Sequence, residues 1–88
     1  MTINSPTDSE TVALAALTAT LTDERRATRF LSITGLSRDV IRASLSDRHT
    51  LAACLGFLED HEPDLIAVAA AIGHQPATLI AARAELES

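Results

Sequence analysis

Apolar residues recur along this chain at intervals of three and four positions, which is the period of an amphipathic α-helix. Glycines, prolines and helix-capping residues interrupt the recurrence, and no segment alternates with the period of two that a strand requires. The pattern predicts an all-α fold, a single compact orthogonal bundle of five to six short helices. It divides the chain into a flexible N-terminal tail over residues 1–6 and one helical domain over residues 7–88.

Three helices are predicted in the first half of the chain. A capping box from Thr7 to Glu10 starts the first helix, because its hydroxyl and carboxylate can each accept from a free backbone N–H. Thr22 is predicted to cap the second helix, Gly35 to end it in the left-handed conformation, and Ser37 to cap the third. The residues expected on the buried sides of these helices are Ala13, Leu14, Ala16, Leu17, Leu21, Ala27, Phe30, Leu31, Ile33, Val40, Ile41 and Leu45.

Three more helices are predicted in the second half. Asp47 is expected to cap the fourth helix, and Gly56 within it indicates a close crossing of two helices. Pro63 and Pro76 suit the first turns of the fifth and sixth helices, and Gly73 ends the fifth. The residues expected to be buried here are Leu51, Cys54, Leu55, Phe57, Leu58, Leu65, Val68, Ala69, Ile72, Leu79, Ala82 and Leu86.

Two segments of the chain echo one another. Each consists of an apolar helix, a glycine (Gly35 or Gly73), a short loop and a second helix whose central apolar residue, Ile41 or Leu79, lies six positions after the glycine. We refer to them as the first corner and the second corner. The second corner also has the spacing of a DNA-reading helix-turn-helix, with Ala69 four residues before its glycine.

The chemistry of the second corner argues against that function. Phosphate contacts need cations and base edges are read by Arg, Asn and Gln, whereas the would-be recognition helix offers Thr78 and Arg83 among alanines and then Glu85 and Glu87. The first corner has two arginines on its second helix but no amide or aromatic side chain for base readout. Nucleic-acid binding by a helix-turn-helix is therefore kept as the alternative function, with nucleic acid an unfavoured partner.

Charge is distributed unevenly along the 88 residues, which carry a net charge of −5. The segment 25–48 has six arginines against two aspartates, a net charge of +4, whereas the segment 49–88 has a net charge of −5. Within the basic segment, two pairs of arginines are spaced four residues apart, so each pair shares one helix face. The candidate partner-binding residues are Arg25, Arg26, Arg29, Arg38 and Arg42, which we call the arginine surface.

Two interpretations of the arginine surface remain open. It could dock an acidic patch of a protein partner, with arginine forks setting the orientation, as expected of a small adaptor or regulatory module that also has the option of forming a homodimer. Alternatively, the arginines pair with the acidic segment 59–64, in the same chain or across a dimer.

Residues with reactive or metal-binding side chains give no pattern of a catalytic or cofactor site. Cys54 lies on a predicted apolar face, and His49, His61 and His74 fall on different predicted elements without a metal-ligand spacing. We therefore predict no enzyme activity, no catalytic residue, no metal and no cofactor. The single cysteine, and the absence of a signal-like or membrane-spanning apolar run, predict a soluble cytoplasmic protein.

Several short motifs connect the chain to a known family. They are Arg29-Phe30-Leu31, Thr34-Gly35-Leu36, Leu55-Gly56-Phe57-Leu58 and Glu62-Pro63-Asp64-Leu65, followed by Ala69, Gly73 and Pro76. With these motifs the stretch from about Ala13 to Leu86 resembles a bacterial family of short all-helical proteins, the domain of unknown function 3572. The resemblance implies a helical bundle of cytoplasmic bacterial origin and no assigned activity or site residues, which favours an accessory or adaptor protein over an enzyme.

Overall fold

The computed structural model describes residues 6–88, and the side chains from residue 8 onward. These residues form six α-helices and no strand, which confirms the all-α prediction. The predicted tail up to residue 5 and the side chain of Thr7, the predicted first residue of the capping box, lie outside the described part of the chain. The helices are α1 (Pro6–Thr22), α2 (Glu24–Thr34), α3 (Arg38–Ala43), α4 (Arg48–Glu59), α5 (Glu62–Ala71) and α6 (Pro76–Glu87).

The caps of three helices follow from single polar side chains. Asp23, and not the predicted Thr22, caps α2, because its carboxylate accepts from the backbone N–H of Arg26 at 3.0 Å. The Thr22 hydroxyl donates backwards to a carbonyl of α1, so it belongs to the end of the preceding helix. The predictions that Ser37 caps α3 and Asp47 caps α4 are confirmed.

The centre of the bundle is formed by α1, α4 and α6, which contact one another more extensively than any other helices of the described chain. All five residues that were predicted to be buried on α4 lie in the core. Phe57 of α4 meets Phe30 of α2 edge to face, with ring centroids 5.3 Å apart, a favourable arrangement for aromatic pairs. The sixth helix contributes Leu79, Ala82 and Leu86 to the same core, as predicted.

The buried face of α1 is rotated from the predicted one. Leu14 is 40% exposed, whereas Ala13, Ala16 and Leu17 are buried together with Thr20. Because α1 packs against both α4 and α6, the face between them carries small side chains that allow close approach. The buried Thr20 hydroxyl donates to the carbonyl of Ala16 at 2.8 Å, so it does not lack a hydrogen-bond partner.

The first corner lies at the periphery. Only Ile41 of α3 is buried, whereas Ile33 (57% exposed), Val40 (50%) and Leu45 (40%) are at the surface. The prediction that these three residues are buried is wrong. The six-residue helix α3 turns less than twice, so it directs Ile41 into the core and leaves Val40 outside. Ile33 lies on the outer face of α2, and Leu45 follows the end of α3.

Gly35 has the left-handed conformation predicted for it, and Gly73, predicted only to end its helix, has the same conformation, whereas Gly56 has a role other than the predicted one. Gly35 and Gly73 both have φ of 76°, the left-handed conformation that ends α2 and turns the chain after α5. Gly56 is not at a close crossing of helix backbones, because a Cβ added there would meet only the Cδ atom of Arg83, at an ordinary 3.7 Å. The missing side chain leaves room for the aliphatic stem of that arginine.

Arg48 links three parts of the bundle and stands outside the arginine surface. Its guanidinium donates to the carbonyls of Glu85 and Leu86, both at 3.1 Å, and lies 3.7 Å from the Glu10 carboxylate. These carbonyls are in the last turn of α6, where that of Glu85 also accepts from Ser88 and where a positive charge is favourable. Arg48 therefore caps α6 from α4.

No single helix of the described residues is both long and apolar enough to cross a membrane. The consecutive pair α5 and α6 reaches such a length only when taken together, and it is bent by 99° between the two helices.

Candidate interaction surface

Two consecutive helices of the first corner carry the arginine surface. Arg25, Arg26 and Arg29 lie on α2, and Arg38 and Arg42 lie on α3. The Asp23 cap fixes the start of α2. The hydrogen bond from the backbone N–H of Arg26, together with nearby positive charge, holds the pKa of the Asp23 carboxyl below its usual value. The arginines of α2 are thus held on a helix whose first turn is fixed by its own cap.

A single carboxylate of α5 holds two of the five arginines. Arg26 Nε donates to Asp64 Oδ1 at 3.3 Å, and Arg29 Nη2 donates to Asp64 Oδ2. The Asp64 side chain is only 13% exposed. Burial alone would raise the pKa of Asp64, but the hydrogen bonds and charges of the two guanidinium groups outweigh burial and lower the pKa below 3.8.

The two ion pairs of Arg26 and Arg29 with Asp64, which we call the clamp, join α2 to the first turn of α5. For Arg26 and Arg29 the clamp realises, within one chain, the pairing with the acidic segment 59–64 that the sequence left open. Arg26 is largely covered in this contact, with 17% of its side chain exposed, whereas 44% of the Arg29 side chain remains exposed. The arginine surface therefore has one structural member, Arg26, and one shared member, Arg29.

The other three arginines are more available. Arg38 forms an exposed ion pair with Glu24, at 3.3 Å between Nη2 and Oε1. Arg25 and Arg42 are exposed, and neither forms an ion pair with a carboxylate of residues 8–88. An exposed pair such as that of Arg38 contributes little to stability, so its guanidinium can exchange partners at low cost.

The exposed arginines border two shallow grooves. The α2 groove is lined by Glu24, Arg25, Thr28, Arg29, Ser32 and Ile33. The α3 groove is lined by Leu21, Arg38, Ile41, Arg42 and Leu45. The ion pair between Glu24 and Arg38 connects the two grooves, because each groove contributes one of its two residues. The structure therefore brings the predicted arginines onto adjoining surfaces rather than into a single pocket.

Both grooves contain apolar side chains that the sequence analysis had assigned to the core. Ile33 lies at the end of the α2 groove and Leu45 in the α3 groove. The spacing along α2 held a signal of this exposure. Ile33 follows the exposed Arg29 by four residues and the buried Phe30 by three, which places it at the edge of the buried face, beside the arginines.

The acidic segment 59–64 is divided between different partners. Glu59 accepts from Arg83, and Asp64 accepts from the clamp arginines. His61 precedes α5 and its ring packs on Phe57, with centroids 4.8 Å apart. Asp60 and Glu62, together with the arginines of α2, line a third groove between α2 and the start of α5. This groove has walls of opposite charge.

The second corner has helix-turn-helix geometry without a basic surface. Its helices cross at 99° and residues 72–75 connect them, within the range of DNA-binding corners. Arg83, the one cation of α6 in the described chain, is paired with Glu59 and with Glu87. The exposed residues of α6 before Glu85 are Ala77, Ile80, Ala81 and Ala84.

Comparison with known proteins places the chain in a family. A family model with the description Protein of unknown function (DUF3572) matches residues 6–88. The chain belongs to this family. The match confirms the resemblance noted in the sequence and extends it beyond the stretch from Ala13 to Leu86. No curated protein and no solved structure matches the chain at a significant level.

The cysteine of this DUF3572 protein is part of the core. Cys54 is fully buried with its Sγ atom 3.6 Å from the Thr20 hydroxyl, and burial raises the pKa of its thiol to about 12. A thiol with that pKa carries almost no thiolate at neutral pH, so it is a poor nucleophile and a poor metal ligand. Across the described residues, no group of three or more His, Cys, Asp or Glu is arranged to hold a metal ion.

Proposed function

We propose that this DUF3572 protein is a small adaptor or regulator without enzyme activity, and that it binds an acidic patch of a protein partner with the outer surface of the first corner. One observation carries the proposal. The first corner exposes its arginines together with Ile33, Val40 and Leu45. The second corner also exposes two isoleucines, Ile66 and Ile80, but its one arginine, Arg83, is held in internal ion pairs. Exposed apolar side chains beside arginines are typical of interaction sites.

The arginines that are left without an internal ion pair, or that remain exposed within one, determine which surface of a partner can bind here. Arg25 and Arg42 have no ion-pair partner among the described residues, and Arg29 and Arg38 are exposed enough to share their donors. A guanidinium donates through a planar fork that matches a carboxylate, so these groups favour Asp and Glu side chains and fix their orientation. The apolar residues between them would contribute burial that charge alone does not supply.

A homodimer is the less supported form of the same proposal. Glu59 and Asp64 of the acidic segment are already paired within the chain, which leaves Asp60 and Glu62 to dock on a second copy. We therefore expect a different protein as the partner. With one buried cysteine and no disulfide, we place the interaction in the cytoplasm.

The test is partner capture with variants of the two unpaired arginines. Arg25→Gln with Arg42→Gln removes two positive charges and breaks no ion pair of the described chain, so helicity and melting temperature should stay unchanged. Ala77→Glu with Ala84→Glu is the matched control, because it lowers the net charge by the same amount on the exposed face of α6. Chemical cross-linking in the source cell, followed by identification of the captured protein, compares both variants with the wild type.

We expect the same protein, with a run of acidic residues, to be captured by the wild type and by the α6 control and to be lost from the arginine variant. Equal recovery by all three would contradict the proposal. Self-capture that depends on the two arginines would replace the adaptor by the homodimer, which sedimentation velocity would verify independently.

Nucleic-acid binding is the second candidate, and the 99° crossing of α5 and α6 is the observation that favours it. The charges oppose it, because Arg83 is paired with two carboxylates and the neighbouring exposed residues of α6 are alanines and Ile80. Titration of a mixed-sequence duplex at low salt separates the two functions. Binding that weakens steeply with salt, and that the α6 control abolishes, would establish the helix-turn-helix function instead.

A further inference from the structure

A ridge of exposed side chains runs along the outer face of α2. Arg25, Arg29 and Ile33 follow one another at intervals of four residues, and the shorter Thr28 and Ser32 lie beside them in the α2 groove. In an α-helix four residues span about 6 Å along the axis, so the ridge presents two positive charges and then one apolar group on three successive turns.

The opposite face of α2 accounts for the position of this ridge. Ala27 and Phe30 are completely buried, and they fix the rotation of the helix against the bundle. With that rotation Ile33 is 57% exposed, the highest value among the large apolar residues of the described chain. The exposure of Ile33 therefore follows from the helix register and is not a local irregularity.

The chemistry of the ridge indicates the side chains that would cover it. Arg29 already donates to a carboxylate, that of Asp64, and 44% of its side chain is still exposed. Arg25, one turn before it, has no ion-pair partner among residues 8–88. The complement is two carboxylates about one turn apart, followed by an apolar side chain that packs on Ile33.

The backbone of the occupant is constrained as well. An extended segment has a similar spacing along one face, but without a sheet edge among these helices its N–H and C=O groups would gain no hydrogen bonds from this protein and would have to stay in water. A helix satisfies those groups internally and brings only side chains to the contact, as in other helix-on-helix interfaces. The ridge therefore fits a helix better than a strand or a coil.

We propose that the outer ridge of α2 binds an acidic amphipathic helix of the protein partner, with carboxylates on two successive turns against Arg25 and Arg29 and an apolar residue on the next turn against Ile33. This inference rests on the proposed function and adds to it the type of element that is bound. A contact of three turns is small, so the complex should be weak and reversible.

A pair of synthetic peptides tests this inference. The first is a labelled helical peptide in a host of alanine and glutamine, with Glu, Glu and Leu at successive intervals of four residues. The second has the same composition, with the leucine moved to the opposite face. Fluorescence anisotropy at low salt should show the first peptide binding the wild-type protein at least about tenfold more tightly than the second.

Two protein variants distinguish the apolar contact from general charge attraction. Ile33→Ser should reduce the preference for the first peptide to less than about threefold, whereas Ile66→Ser, at an isoleucine of α5 with 52% exposure, should leave it unchanged. Arg25→Gln should weaken both peptides. Circular dichroism of each variant checks that the fold is kept.

Each remaining outcome overturns the inference. Equal binding of both peptides, lost with Arg25→Gln, would exclude a patterned helix and leave the acidic-patch proposal standing. Binding of neither peptide up to about 1 mM would exclude an acidic helix as the occupant, and the capture experiment would still decide the proposed function separately. Tighter binding of a duplex DNA of equal charge would point to a phosphate backbone instead.

Discussion

The two glycine corners of this protein have nearly the same sequence pattern and different places in the fold. In both corners a left-handed glycine, with φ of 76°, follows a helix, and a fully buried residue, Ile41 or Leu79, lies six positions later. The second corner sends its second helix, α6, between α1 and α4. The first corner sends only a six-residue helix, α3, to the edge of the bundle.

The difference shows how one local motif can serve stability in one place and leave a surface free in another. The second helix of the second corner turns Leu79, Ala82 and Leu86 into the core, and its one arginine, Arg83, is in internal ion pairs. In the first corner α2 buries Ala27 and Phe30, but the second helix, α3, buries only Ile41. The apolar residues left at the surface with the arginines are Ile33, Val40 and Leu45. A peripheral helix such as α3 can open locally at a lower free energy than the whole bundle needs to unfold, so its loose packing does not endanger the core.

The largest expected effect comes from truncating the two buried residues, Leu79 and Ile41, that lie six positions after the glycines. Leu79→Ala should lower the free energy of unfolding by about 2–5 kcal/mol, because it leaves a cavity among the three central helices. Ile41→Ala should cost clearly less, because α3 can separate while α1, α4 and α6 stay packed. Urea unfolding followed by circular dichroism measures both. Equal costs would show that the first corner is as firmly integrated as the second.

The glycines provide the next comparison. Gly73→Ala should destabilise the protein by about 1–2 kcal/mol, because a side chain is disfavoured in the left-handed conformation even though the space around it is open. Gly35→Ala has the same backbone strain and should cost less if the first corner can rearrange. Thermal denaturation detects the difference, with Gly56→Ala as a control. That control should stabilise α4 by about 0.5–1 kcal/mol, since its Cβ meets only an ordinary contact.

A third comparison uses two arginines with different roles. Arg48→Ala should cost about 1 kcal/mol, because the last carbonyls of α6 lose a charged donor that is itself partly exposed. Arg42→Ala should leave stability within about 0.5 kcal/mol of the wild type, since Arg42 forms no ion pair among the described residues. Chemical denaturation of the two variants measures both values. A loss at Arg42 as large as that at Arg48 would mean that the first corner depends on its arginines for folding.

The smallest expected effect concerns the clamp between the first corner and α5. The pKa of Asp64 is lower in the folded chain than its ordinary value of 3.8, so its contribution to stability is present at neutral pH and is lost as the pH falls through the folded pKa. The difference in melting temperature between the wild type and Asp64→Asn should therefore be larger at pH 7 than below the folded pKa.

The exposed Asp60 provides the control for this pH effect, because Asp60→Asn removes a neighbouring carboxylate that is in no ion pair of the described chain. Its difference in melting temperature from the wild type should depend less on pH. If the two variants behave alike across this range, the clamp does not stabilise the contact between α2 and α5.

The candidate interaction surface could be predicted from the sequence only in part. The four-residue spacing of Arg25 with Arg29 placed both on one helix face, and the structure has them in one groove. The sequence left open whether arginines would pair with the segment 59–64, because pairing depends on distances between separate helices. The structure pairs Arg26 and Arg29 with Asp64 and leaves Arg25 unpaired within the described chain.

Local chemistry was sufficient for the elements and their ends. The spacing of apolar residues determined six helices, and capping and backbone preferences determined ends such as Ser37, Asp47, Gly35 and Gly73, because these interactions act within a few residues. Even the shift of a cap from Thr22 to Asp23 is a change of one position.

Tertiary packing decided which of the apolar helix faces are buried at the edge of the bundle. Ile33, Val40 and Leu45 have the same side-chain chemistry as core residues, but burial requires a neighbouring helix to cover them. No helix of the described chain covers the outer face of α2 or the six-residue α3 and the turn after it. The central helices α1, α4 and α6 cover one another instead. The sequence by itself thus determined six helices and two glycine corners. The packing around them decided that the second helix of one corner lies in the centre of the bundle and that of the other corner lies at its edge.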